Sequence, residues 1–285
     1  MTASPFDPPR AAVQDAVARA LAEDLLPLGD LTAALLPPGA EARAVFNARE
    51  AGVLAGRACV TETYAQLEPR VAVEWAVGEG EAFGAASTIA RVSGPLAAVL
   101  TGERTALNFL RHLSAVATLT HRFVELADAA SGGATRVLDT RKTTPGLRAL
   151  EKAAVRAGGG ANHRANLSDA VMVKDNHLGG TTIAAAVEQA RRTWPGRPVH
   201  VECDTLEQFD EVLATRADRA LLDNFSPEDV ALAVARNGGR VEIEVTGGLT
   251  LTTVAAYARA RPDFISVGAI TSSAGVVDLG LDLVP

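Results

Sequence analysis

The run Val199-His200-Val201-Glu202-Cys203-Asp204-Thr205 decides how this chain is read. A short β-like stretch ends in an acid, and a helical stretch over 205–214 follows at once. The pattern recurs on both sides. Upstream stand Arg136-Val137-Leu138 and Ala170-Val171-Met172-Val173. Downstream stand Ala220-Leu221-Leu222, Val241-Glu242-Ile243-Glu244-Val245 and Phe264-Ile265-Ser266-Val267. Helical stretches over 182–192, 227–236 and 250–259 separate the later runs. The run ends Lys174, Glu202, Asp223, Thr246 and Gly268 are 28, 21, 23 and 22 residues apart. That is about one βα unit each, so a parallel sheet is predicted, as an α/β barrel or a doubly wound fold.

Each run closes on polar residues or glycine: Asp139-Thr140-Arg141-Lys142, Lys174-Asp175-Asn176-His177, Glu202-Cys203-Asp204, Asp223-Asn224, Thr246-Gly247-Gly248 and Gly268. Any strand end is polar where it meets water, which accounts for one or two of these and poorly for six. In βα folds the C-terminal strand ends and the loops after them build the active site. The charges sort by sign. Arg141, Lys142, His163, Arg164 and Lys174 come from the first two units, Glu202 and Asp223 from the next two. A cluster of cations repels itself unless an anion is bound, so a polyanionic ligand is expected. Two carboxylates facing it could hold a hard cation such as Mg2+, directly or through water. Gly247-Gly248 before a helix, with Gly268 after the next strand, is a candidate phosphate loop.

The loop Gly158-Gly159-Gly160-Ala161-Asn162-His163-Arg164 follows a helix expected to be capped by Thr143 or Thr144, started by Pro145 and stopped by Gly158. One glycine suffices for a helix stop, so the other two suggest close backbone approach or a positive φ. His163 lies among cations. His112, His121 and His200 read as structural or surface residues, and His177 stays open. Serine-hydrolase elbow, Walker, zincin and dinucleotide-binding fingerprints are missing, which weakens those classes.

The first part of the chain has another texture. A first helix is expected with Asp7 as cap and Pro8 in its first turn, with Val13, Val17, Leu21 and Leu25 on one face. Short β-like runs at 44–46, 53–55, 71–73 and 89–92 are punctuated by glycine and read as a small sheet domain. Ser93-Gly94-Pro95 is expected to open a long helix, broken near Thr101-Gly102 and ending about Ala130.

Composition bounds the function. The chain has 285 residues, 48% hydrophobic and 21% charged, as in a globular protein and unlike a disordered one. Its net charge is −7, which speaks against a general nucleic-acid or anionic-membrane binder. Two cysteines, Cys59 and Cys203, build no disulfide framework and no zinc spacing. The opening residues lack the basic flank and apolar run of a signal peptide, and no run of about 18 apolar residues could span a membrane. A cytoplasmic protein is expected.

The motifs together resemble one family. Leu138-Asp139-Thr140-Arg141-Lys142-Thr143-Thr144-Pro145-Gly146-Leu147-Arg148, Leu150-Glu151-Lys152, Gly158-Gly159-Gly160-Ala161-Asn162-His163-Arg164 and Lys174-Asp175-Asn176-His177 are similar to the quinolinate phosphoribosyltransferases. The likeness continues through Glu202, Leu222-Asp223-Asn224, Glu244-Val245-Thr246-Gly247-Gly248 and Phe264-Ile265-Ser266-Val267-Gly268-Ala269. Upstream it takes in Gly29-Asp30-Leu31-Thr32 and Gly102-Glu103-Arg104-Thr105-Ala106-Leu107-Asn108, so it covers nearly the whole chain. It implies an α/β sandwich over 1–110, packed by the tail 275–285, and an incomplete α/β barrel over 111–274. It implies a homodimer in which Arg104 reaches the partner's quinolinate; some relatives are hexamers. Arg141, His163 and Arg164, with Thr140, would hold the quinolinate carboxylates. Lys142 and Lys174 would lie between quinolinate and phosphoribosyl pyrophosphate. Glu202 and Asp223 would face the ribose and a Mg2+-pyrophosphate. Asn176, Thr246, Gly247, Gly248 and Gly268 would join the phosphoribosyl pyrophosphate site. The implied reaction gives nicotinate mononucleotide, pyrophosphate and CO2. The family often has Thr-His-Ser where this chain has Thr271-Ser272-Ser273. Competing readings are a molybdenum-transport-associated homologue, a silent anion-binding protein on the same scaffold, a barrel lyase using Lys142 or Lys174 as a Schiff base, and a nicotinate phosphoribosyltransferase.

Overall fold

Alternating burial in β-like stretches of the first part and short, largely buried runs in the second shape the chain. The structure is a computed structural model that describes residues 6–284, with the side chains of residues 177 and 178 outside that description. The chain falls into two compact units: Met1–His121, Thr143–Gly159 and Ile270–Pro285 form the first, Arg122–Lys142 and Gly160–Ala269 the second.

In the first unit, helix α1 (Arg10–Leu25) is followed by strand β1 (Glu41–Ala48), β2 (Gly52–Val53), helix α2 (Arg57–Leu67), β3 (Ala72–Trp75), β4 (Ala82–Phe83) and β5 (Thr88–Pro95). Helix α3 (Leu96–Ser131) starts directly after β5. The last strand of the chain, β12 (Leu279–Val284), joins the edge of an antiparallel sheet ordered β12-β1-β5-β3. Ala44, Phe46 and Ala48 of β1 point inward every second residue, as a sheet with one wet face requires. They share a core with Ile89 and Val92 of β5, Val60 and Tyr64 of α2, and Val99, Leu107 and Leu110 of α3. Helix α4 (Arg148–Ala157) also belongs to this unit. Its buried Glu151 meets His112 of α3 at 2.8 Å and accepts the Thr144 N–H at 3.1 Å. These bonds place 143–159 with the first unit, whereas the sequence expectation assigned 111–274 to the barrel.

The second unit is built from β6 (Arg136–Leu138), β7 (Val171–Val173), the short helix α5 (Asp175–Leu178), α6 (Ile183–Thr193), β8 (Val199–Cys203), α7 (Leu206–Leu213), β9 (Arg219–Asp223), α8 (Pro227–Asn237), β10 (Glu242–Thr246), α9 (Val254–Ala258) and β11 (Phe264–Ser266), with α10 (Ala269–Ser272) beginning at its end. All six strands are parallel, in the order β6-β11-β10-β9-β8-β7. Strands β7 to β11 follow one another, and β6 returns to the far side beside β11. A doubly wound sheet would reverse its order at a switch point. Here β6 and β7 flank one seam, where Ala161 bridges to Leu138 instead of a full strand pairing. This is an incomplete α/β barrel. Thr182, Thr205 and Ser226 each cap the N-terminus of the following helix through the side-chain oxygen.

Several local expectations give way to turn chemistry. The first helix begins at Arg10, not at Pro8, because Pro9 drives Pro8 out of the helical region. Ser93-Gly94-Pro95 ends β5 and does not open the helix. Helix α3 runs unbroken through Gly102, which is there for packing: a Cβ at that point would come 2.6 Å from the Tyr64 ring. Pro145 does not start α4. Gly146 at φ +81° keeps the chain turning until Leu147. Thr250 and Thr253 bond each other and delay α9 to Val254.

Candidate active site

The residues at the C-terminal edge of the second unit's sheet come from all six strands. Register puts Val173 beside Val201, Cys203 beside Leu222, and Asp223 beside Thr246. Lys174 and Glu202 therefore meet at the ends of adjacent strands, Nζ to Oε2 at 2.5 Å. Burial pushes the Asp223 carboxyl above its usual value, Glu202 and Asp204 push it further, and Lys174 and Lys142 pull it back. Four charges along one edge thus act on Asp223.

The arginines form the other side. Burial, and then the charge of Arg141, hold the Arg164 guanidinium below its ordinary pKa, while Glu202 and Glu244 oppose the fall. Arg164 donates to the Ala170 carbonyl at 3.1 Å and lies 3.4 Å from Met172 Sδ. Thr140 Oγ1 accepts the Lys142 N–H at 3.0 Å. Gly268 leaves room for the Lys142 stem: a Cβ there would stand 2.9 Å from Lys142 Cδ.

Gly247 has φ +103°, and a Cβ on it would lie 2.3 Å from Asn224 Oδ1, so only glycine fits. Asn224 itself sits at φ +57°, donates its N–H to the Thr246 carbonyl at 3.0 Å, and its amide reaches Asp223 Oδ2 at 2.9 Å. Gly248 follows with φ +58° and open space around it. The Asp223 carboxylate and the glycine loop are thereby tied together.

His163 is fixed from below. The fully buried Asp139 accepts the His163 N–H at 2.8 Å and the Asn162 amide at 2.7 Å. His163 Nε2 lies 3.2 Å from Glu244 Oε2. Glu244 also accepts from Arg219 Nη1 at 2.8 Å. Asp139, Glu244, Arg219 and Asn224 carry no role in the sequence reading. Glu244 lies between the buried Ile243 and Val245 of β10, and an acid at an alternating position gives no sign in the sequence of which way it faces.

The second unit therefore brings together Thr140, Arg141, Lys142, His163, Arg164, Lys174, Glu202, Asp223, Thr246, Gly247, Gly248 and Gly268. Asn176 is exposed on α5, with its N–H turned to Asp175 Oδ1. The His177 side chain lies outside the described residues. Arg104 is exposed on α3 of the first unit. His200 is buried, its ring edge-on to His163 with centroids 5.5 Å apart. Burial pushes both cysteine thiols up to about 12, which removes them as thiolate nucleophiles near neutral pH. Among the described residues no helix is long and apolar enough to cross a membrane.

Magnesium characteristically takes one or two protein carboxylates together with substrate phosphates. Glu202 and Asp223 fit that pattern: Asp223 is a half-buried acid held up in pKa first by burial and then by the neighbouring Glu202 and Asp204, a position that a cation would relieve.

Comparison with known proteins agrees with this geometry. The pattern of the quinolinate phosphoribosyl transferase N-terminal domain matches residues 30–114, and that of the C-terminal domain matches residues 116–282. The nicotinate-nucleotide pyrophosphorylase [carboxylating] of Mycobacterium leprae is 39% identical over 282 residues, 95% of this chain and 97% of that protein. A probable nicotinate-nucleotide pyrophosphorylase [carboxylating] of Bacillus subtilis is 37% identical over 90% of this chain and 88% of its own. The structure of the nicotinate-nucleotide pyrophosphorylase from Francisella tularensis superposes with a TM-score of 0.94 at 37% identity, covering all of both chains. With both domains matched in order and the strand-end residues converging on one edge, the chain belongs to the quinolinate phosphoribosyl transferase family.

Proposed function

We propose that this protein transfers the phosphoribosyl group of phosphoribosyl pyrophosphate to quinolinate and releases pyrophosphate and CO2, leaving nicotinate mononucleotide. The observation that carries the reading is the gathering of charge along one barrel edge: Arg141 and Arg164 in each other's field, Lys174 paired with Glu202, and Lys142 and Lys174 acting on Asp223. Two guanidiniums and His163 suit a dicarboxylate, for which nicotinate's single carboxylate would be too little. Lys174, paired with Glu202 at 2.5 Å, is assigned to the anionic substrates. The Gly247-Gly248 loop and Gly268 receive the 5-phosphate.

The quinolinate nitrogen attacks C1 of the ribose as the C1–O bond to pyrophosphate breaks, helped by positioning. Positive charge grows on C1, and Glu202 or Asp223 stabilises it. Those two acids would hold a Mg2+ ion with the pyrophosphate oxygens, and the ion would supply charge neutralisation there. The alkylated ring nitrogen is cationic and draws the electron pair left when the adjacent carboxylate departs as CO2. A proton taken up at that carbon completes the product.

Arg104, exposed on α3, is assigned to the site of a second copy of the chain. A homodimer belongs to the same proposal, supported by the family resemblance, and so does a cytoplasmic setting, supported by two free buried cysteines. The test is incubation with quinolinate, phosphoribosyl pyrophosphate and Mg2+, following nicotinate mononucleotide and CO2, with nicotinate as control. Product from quinolinate alone is expected, and its absence would favour the silent anion-binding reading. Mixing Arg104→Ala with Lys142→Ala subunits should restore activity that neither has alone.

A further inference from the structure

Glu244 is a buried acid in the barrel wall. It is 1% exposed, between Ile243 and Val245, which are buried as well. A buried carboxylate is tolerated only when it is paired and hydrogen-bonded. Both partners of Glu244 converge on the same oxygen: Arg219 Nη1 at 2.8 Å and His163 Nε2 at 3.2 Å. Arg219 is itself immobilised. Its Nε and Nη2 reach Glu242 Oε2 at 3.0 and 2.7 Å, and its guanidinium lies 4.0 Å over the Phe264 ring. The backbone register holds Glu242 opposite Arg219. Burial acting alone would raise the Glu244 carboxyl, but His163 and Arg219 outweigh it and hold its pKa below the usual value.

His163 thus meets a rigid frame on three sides. Its N–H is held by the buried Asp139, its ring packs edge-on against His200, and its Nε2 faces Glu244. We infer that Glu244, braced by Arg219, is a positioning residue that aims the His163 imidazole at a carboxylate of quinolinate. This rests on the reading of His163 under the proposed function. Site geometry is set by the residues that lock a contacting side chain as much as by that side chain itself.

The test is a double-mutant cycle between Glu244→Gln and His163→Ala, read by direct titration of quinolinate and, separately, of phosphoribosyl pyrophosphate. Glu244→Gln keeps the shape and removes the charge. It should weaken quinolinate binding roughly 10–100-fold, as loss of an orienting partner does, and leave phosphoribosyl pyrophosphate affinity unchanged. In the His163→Ala background the same substitution should add little, because two residues acting through one contact are not additive. Additive losses, equal losses for both substrates, or unchanged quinolinate affinity would overturn the inference while leaving the reaction in place. Wild-type protein that neither binds nor turns over quinolinate would overturn the proposed function and this inference with it. If Glu244→Gln does not fold, Glu244→Asp takes its place, with its charge withdrawn by one methylene. The His163 ring signals in NMR of the ligand-free protein should then move, and unmoved signals would again sink the idea.

Discussion

At the scale of single residues, the Arg141 and Arg164 pair is the most informative feature. Each guanidinium sits in the other's field, and Arg164 is additionally penalised by burial. Like charges brought together in one site favour an anion, since the ligand offsets their repulsion with charge-assisted hydrogen bonds. Arg141→Ala and Arg164→Ala should each weaken quinolinate binding by about 2–5 kcal/mol, the range for breaking a buried charge pair. Calorimetric titration of the two variants checks this, with phosphoribosyl pyrophosphate as the control ligand. Arg164→Lys should recover only part of the loss, because a point charge lacks the planar fork that meets a carboxylate with two bonds. Quinolinate affinity unchanged in both alanine variants would remove these arginines from the site.

At the scale of elements, Gly158 shows what the triple glycine is for. The residue ends α4 with φ −78°, which any amino acid adopts, so conformational freedom is not the reason for it. A Cβ at this point would stand 2.3 Å from the Ala117 carbonyl oxygen and 2.8 Å from Thr120 Cβ, both on α3. The next residue, Gly159, is the one with positive φ, at +87°. Gly158→Ala should therefore push two packed helices apart and cost about 1–3 kcal/mol, as overpacking does. Urea unfolding would show it as a lower midpoint, and an unchanged midpoint would contradict the close approach. The strand ends were legible in the sequence because parallel units impose both a spacing and a polar terminus on every run. Helix starts at Pro8, Pro145 and Thr250 were misread because hydroxyl bonds, proline neighbours and a left-handed glycine act locally and override periodicity. Glu244 and Arg219 were illegible for another reason. An acid in a strand looks the same whether it faces water or an arginine on the next strand, and register appears only when the sheet is assembled.

At the scale of the whole molecule, the net charge of −7 describes the surface, whereas the barrel interior follows its own electrostatics. His200 makes that interior visible in stability. The ring is 8% exposed, and its pKa is pushed down to about 4, first by burial and then by Arg219 and His163, with Glu244 and Asp218 opposing. The folded protein therefore holds this ring neutral where the unfolded chain, with a value near 6.5, would protonate it. The unfolded state binds more protons between those two values, so stability falls as pH falls through that window and is fully present above it. Each pH unit inside the window is worth about 1.4 kcal/mol. By pH 5 the loss from this one group is on the order of 2 kcal/mol relative to pH 7. His200→Gln cannot titrate, so the stability difference between wild type and variant should shrink by about that amount from pH 7 to pH 5. Denaturant unfolding of both proteins at the two pH values measures it. Curves that run parallel over the whole interval would mean that the ring is protonated, or hydrated, inside the folded barrel.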